Sequence, residues 1–143
     1  QLAMYVVYES PLQMLCDSPS NYSREPEMME FLSRVPTVWD EMVVLDAKVG
    51  DYIVIARKRG EEWYAAAMTN RETRKLEIHL NFLGDGLYSA DIFMDGPNAS
   101  RMASDYKRSS KELKKTDSLE ITMAPGGGWA ARITKRKIGD SPQ

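Results

Sequence analysis

Leu76-Glu77-Ile78-His79-Leu80-Asn81-Phe82 alternates apolar and polar side chains without a break. A strand sends successive side chains to opposite faces, so this run predicts one face in a core and one in water. Tyr88, Ala90, Ile92 and Met94 repeat the period of two, and further candidate strands cover 41–46, 52–58, 63–69, 119–123 and 129–134. The stretch from Tyr52 to Ala56 is apolar on both faces, which predicts a central strand covered from both sides. Turn signals punctuate these runs: residues 48–51 around Gly50, Arg59-Gly60, Gly84-Asp85-Gly86 and Asp95-Gly96. Short strands at close spacing with such punctuation predict an antiparallel β-sandwich. Residues 99–115 are polar and charged, and read either as a long loop or as a surface strand. Residues 136–143 read as a frayed end.

Upstream of Pro36 the period changes. Residues 1–10 (QLAMYVVYES) are apolar nearly all round, which suits a helix buried on most of its surface. Neither a capping residue nor an acidic first turn introduces that helix, so the chain is expected to be a piece of a larger protein that starts inside a buried helix. Pro11 breaks it, and 12–16 is a short apolar run that reads as a buried strand feeding the Asp17-Ser18-Pro19 loop. After a polar loop over 20–24, Pro26 opens a second helix, with Ser23 as a candidate cap and Glu25 and Glu27 near the positive end of its dipole. Met28, Phe31, Leu32 and Val35 then mark one apolar face, and Pro36 closes the helix. A lone strand between helices needs neighbours that the rest of this chain does not offer. The expected architecture is mainly β, with residues 37–143 as an antiparallel sandwich behind a helix-strand-helix segment over 1–36.

With 143 residues the chain can bury a real core, and 43% hydrophobic with 28% charged residues is ordinary globular composition. The net charge of −2 gives no bulk attraction for nucleic acid or anionic lipid, and no apolar run approaches the length of a bilayer span, so neither partner is expected. One cysteine, Cys16, excludes an internal disulfide framework and any multi-thiolate metal site. Cys16 reads as a small buried hydrophobe, and His79, the one histidine, falls on the polar face of its strand.

Ala124-Pro125-Gly126-Gly127-Gly128-Trp129 offers three glycines, but no Gly-Lys-Ser/Thr follows and a strand comes next, so a tight turn into the last strand is expected rather than a phosphate cradle. Three basic clusters, at 57–59, around Lys107 to Lys115, and at 135–137, lack interleaved aromatics and read as solvated hairpin ends. Trp39, Trp63 and Trp129, with Tyr52, Tyr64 and Tyr88, offer the ring types of a sugar-stacking face, though tryptophans in so small a sandwich are mostly core. Asp17 ends a buried strand, the place of functional residues on an α/β barrel rim, and fits an Asx turn equally well. Residue types and spacing single out no carboxylate pair as acid and base.

Residues 2–19 (LAMYVVYESPLQMLCDSP), 36–41 (PTVWDE), 49–57 (VGDYIVIAR), 63–70 (WYAAAMTN) and 124–133 (APGGGWAARI) resemble the C-terminal end of glycoside hydrolase family 97. That family contains bacterial α-glucosidases and α-galactosidases with an N-terminal β-super-sandwich, a (β/α)₈ catalytic barrel and a C-terminal antiparallel sandwich. The resemblance implies that residues 1–36 are the last elements of the barrel and 37–143 the C-terminal sandwich, with Asp17 on the rim near the sugar site. No position here matches the family's catalytic carboxylates or its calcium-holding glutamates, so no catalytic or metal residue and no cofactor is assigned to this chain. The implied role is a non-catalytic domain that packs on and stabilises the barrel of the same polypeptide, in a calcium-dependent, periplasmic parent enzyme. Having lost its barrel, the apolar N-terminal segment is expected to seek cover by self-association or by refolding against the sandwich. The alternative is a carbohydrate-binding module stacking sugars on Trp39, Trp63 and Trp129, and a weaker one is a protein-interaction module marked by an apolar patch on the sandwich itself.

Overall fold

The computed structural model describes residues 2–10, 14, 18–99, 101–102 and 105–136. In these residues lie helices α1 (Leu2–Val7), α2 (Pro19–Tyr22) and α3 (Pro26–Arg34), followed by strands β1 (Glu41–Lys48), β2 (Tyr52–Arg59), β3 (Glu62–Thr69), β4 (Arg74–His79), β5 (Tyr88–Asp95), β6 (Tyr106–Leu113), β7 (Ser118–Met123) and β8 (Gly128–Lys135). Each strand expected from alternation is present within a few residues. The run over 76–82 stops being strand at His79, because Leu80 to Leu83 closes a turn through the Leu83 amide and the Leu80 carbonyl. Leu80 stays in the core after the turn begins. Within the polar segment over 99–115, Tyr106–Leu113 form a surface strand, β6.

The strands form two unequal antiparallel layers: a six-stranded sheet ordered β1-β2-β3-β8-β5-β6, and a two-stranded ribbon of β4 and β7. The ribbon lays Ile78, Leu119, Ile121 and Met123 on the large sheet, where Val54, Ala56, Trp63, Ala65, Ala67, Ala90, Ile92, Trp129, Ala131 and Ile133 complete one core. Full burial of a large apolar side chain contributes about 1.5–3 kcal/mol, so this layer carries most of the hydrophobic stabilisation.

The opposite face of the same sheet is also covered. Ala3 and Val6 of α1 and Phe31 of α3 pack on Tyr64, Ala66, Phe93 and Ala130. Ile55, between the core residues Val54 and Ala56, is buried as well, so β2 is apolar on both faces for a structural reason. The apolar N-terminal helix therefore finds cover within the chain, against β3 and β8. Small side chains permit the approach: a β-carbon built on Gly128 would stand 3.2 Å from the Ala3 methyl. The start of α3 departs from the expectation. Its N-cap is Glu25, without a side-chain cap bond, while Ser23 Oγ donates back to the Pro19 carbonyl at the end of the short α2 turn. The strand expected over 12–16 and Cys16 lie outside the described residues, apart from Met14, which is in no strand.

Candidate functional site: the helix-covered face and the sheet edges

Two neighbouring strands present polar groups to the ends of the two helices. On β2, Arg57 is only 4% exposed, and its Nη2 donates to the carbonyl of Val7, the last residue of α1, at 2.9 Å. On β3, the Tyr64 hydroxyl donates to the carbonyl of Arg34, the last residue of α3, at 2.8 Å. Helix C-termini leave carbonyls without intrahelical partners, and a cationic or hydroxyl donor there answers both the hydrogen bond and the dipole. The Tyr64 hydroxyl also lies 3.0 Å from Glu62 Oε2, and burial, then this carboxylate, pushes its pKa up to about 12. Glu62 in turn takes a bidentate ion pair from Arg132, which holds its carboxyl below the usual range. Trp39 closes the arrangement, edge-on to Tyr64 at 5.4 Å with the Arg57 guanidinium 5.8 Å from its ring centroid.

The other end of α3 is tied to the sheet's far edge. Arg108 on β6 makes a bidentate pair with Asp91 and reaches Glu30 of α3 at 3.1 Å. These acidic partners, Asp91 first, raise its pKa further. The Tyr106 hydroxyl stands 3.3 Å from Glu25. Between the starts of α1 and α3, the end of β5 and the start of β8 lies a cleft of about 360 Å³, lined by Leu2, Glu25, Met94, Asp95 and Tyr106 among others.

Asp95 has a different task from catalysis. Its Oδ2 accepts the amides of Ala124 at 2.9 Å and Gly128 at 3.1 Å, bridging the two ends of the Pro-Gly-Gly-Gly turn. A β-carbon on Gly127 would fall 1.8 Å from that oxygen, and Gly126 has φ of +67°, so glycine is required at both positions for separate reasons. Burial raises the Asp95 pKa against the opposing pull of the two amides. The glycine run is thus a turn pinned by an aspartate into the last strand.

The residues singled out in the sequence do not converge. Asp17, the rim candidate, lies outside the described residues. Trp63 and Trp129 are 5% and 2% exposed in the core between the two sheets, where Trp63 meets Phe82 edge-on at 4.9 Å. Trp39 is half-buried on the opposite, helix-covered face. Sugar stacking needs an open ring face, and the alternation of strand side chains denies it to both core tryptophans. His79 is exposed on β4. Among the described residues no three His, Cys, Asp or Glu side chains group as metal ligands.

The basic clusters divide. Lys58 pairs with Glu41, Arg59 with Asp40, Lys115 with Asp85 and Arg136 with Glu112, as solvated strand ends do. Arg57 departs from that expectation: it is buried, because its part of the β2 face lies under α1 and beside Trp39. Sequence reasoning missed Arg57, Tyr64 and Asp95 as anchors. The signal available for Arg57 was its place directly after the apolar run 52–56 of β2.

Comparison with known proteins places this geometry. The sequence family described as "Glycosyl-hydrolase 97 C-terminal, oligomerisation" matches residues 38–134. A curated retaining alpha-galactosidase of Bacteroides thetaiotaomicron is 53% identical over 133 residues, covering 93% of this chain and 20% of that protein. A probable retaining alpha-galactosidase of Streptomyces bingchenggensis is 29% identical over 131 residues, covering 92% and 20%. A solved glycoside hydrolase family 97 enzyme from Pseudoalteromonas sp. strain K8, in complex with acarbose, superposes with a TM-score of 0.91 at 38% identity over 95% of this chain and 22% of that one. The chain therefore spans about a fifth of the length of these relatives.

Proposed function

The chain belongs to the glycosyl-hydrolase 97 C-terminal family, and from that premise we propose that it is the non-catalytic C-terminal module of a larger α-glycosidase, packing on and stabilising its catalytic domain. The observation that carries this reading is the sealed helical face. Two helices anchored at their C-terminal ends by Arg57 and Tyr64 form a layer fused to the sheet. Its outward side still presents Met4 and Tyr8 to solvent. A rigid layer with apolar residues on its outer side suits docking against a neighbouring domain. Likeness to the Bacteroides enzyme supports terminal α-galactosides as the substrate class of the larger protein.

Calorimetric titration of the purified chain with melibiose and malto-oligosaccharides, run beside a hydrolysis assay on nitrophenyl α-galactoside and α-glucoside, tests the proposal. Silent heats and no turnover from a folded chain are expected. Saturable heats abolished by Trp39→Ala would favour the carbohydrate-binding alternative, and turnover would refute the non-catalytic assignment.

A further inference from the structure

The two edges of the six-stranded sheet are built differently. On β6 the side chains left exposed include Lys107 and Lys111, the like charges by which natural sheets discourage edge-to-edge association. On β1 the exposed side chains are Met42 and Val44, each 55% exposed, with Val38 just before the strand at 56%. Met42 and Val44 sit opposite Arg57 and Ile55 and so share the helix-side face. The charges of this segment all turn back into its own hairpin. Asp40 accepts from Arg59 at 2.9 Å and from the Gly60 amide, and Glu41 pairs with Lys58 at 3.0 Å. Asp46 accepts from the Tyr52 hydroxyl at 3.1 Å, and Lys48 pairs with Asp51 at 2.7 Å. Among the described residues no strand pairs with the outer side of β1, so a partner approaching this edge meets methyl groups and a strand edge rather than net charge.

We propose that the outer edge of β1, over Glu41–Val44, is the seam where a second copy of this chain docks. The proposal rests on membership of a family described by oligomerisation, and it names the surface. A strand at a two-fold axis meets its copy antiparallel, which makes the contact self-complementary and closed. The bulge between Val44 and Asp46 interrupts the regular edge and confines pairing to the first half of the strand. With Val43 on the axis, Met42 of each copy stands opposite Val44 of the other on one face. The apolar strip is then covered twice over by the same residues.

Sedimentation velocity of the chain over a range of concentrations tests the seam. The unmodified chain should dimerise. Val44→Asp brings two carboxylates near the axis and should weaken self-association about a hundredfold. Met42→Asp should act likewise, and Lys111→Glu on the β6 edge should change nothing. Near-ultraviolet circular dichroism checks that each variant keeps its packing. A dimer that survives both aspartate variants overturns the seam and leaves the family assignment standing. A chain monomeric at every concentration overturns the seam together with self-association in this chain, and points to the catalytic domain as occupant of the strip.

Discussion

Arg57 and Tyr64 face each other across β2 and β3, and each reaches the final carbonyl of a different helix. One cross-strand pair thus fastens both α1 and α3 to the sheet. The backbone of a sheet is rigid on the scale of a hydrogen bond, so the spacing of the two helix ends is set by the spacing of two strands.

Removing one tether should loosen one helix. Arg57→Ala leaves a void and frees the Val7 carbonyl, and is expected to destabilise the fold by about 2–4 kcal/mol in urea titration. Amide exchange across α1 should rise more than across α3. Arg57→Met should cost less, because it fills the space and removes a guanidinium whose buried Nε has no acceptor among the described residues.

Tyr64→Phe removes a hydroxyl shared between Arg34 and Glu62 and should cost about 1–2 kcal/mol. Alkali gives an independent check. The folded pKa of Tyr64, about 12, lies above its ordinary value of 10.0, so its stabilising contribution is complete below pH 10.0 and is lost as pH rises toward about 12. Tyr52 and Tyr106 are shifted the same way. Thermal melts across this range should show a decline that is shallower, not absent, in Tyr64→Phe.

At Asp95 the sign is that of a buried acid. Its folded pKa is raised above 3.8, so protonation favours the folded state, and stability falls as pH rises from that value through the folded pKa. Asp95→Asn keeps an acceptor for the turn amides and should flatten this part of the pH–stability curve measured by thermal melts. Asp95→Ala strands two part-buried amides and should destabilise by about 1–2 kcal/mol at neutral pH.

Ala66 lies beneath the helices and has no exposed surface. Ala66→Leu should lift the helical layer and cost about 1–3 kcal/mol, read by chemical denaturation, with near-ultraviolet signals of Trp39 and Tyr64 altered.

How far the sequence could be read follows from what each element buries. β4, β5 and β7 put Leu76 and Ile78, Tyr88, Ala90 and Ile92, and Leu119, Ile121 and Met123 on one face into a core, so a period of two was visible in their composition. β6 is a polar edge strand with only Leu113 buried, and nothing in its pattern separates it from a loop. Trp63 and Trp129 had two readings until neighbouring strands showed which face was covered. Arg57 was hidden in a basic triplet because burial depends on which side of β2 the helices occupy.

The amino-acid order by itself determined the local matters: which segments alternate, and where proline and glycine stop them. These follow from propensity and spacing among residues close in the chain. Only the tertiary structure decided that β4 leaves the strands beside it in sequence to pair with β7, and that α1 closes over β3 and β8. It also left β1 as an edge with apolar side chains. Those outcomes depend on contacts between residues far apart in sequence, where loop-closure entropy and the burial of whole faces, rather than any local preference, select the partner.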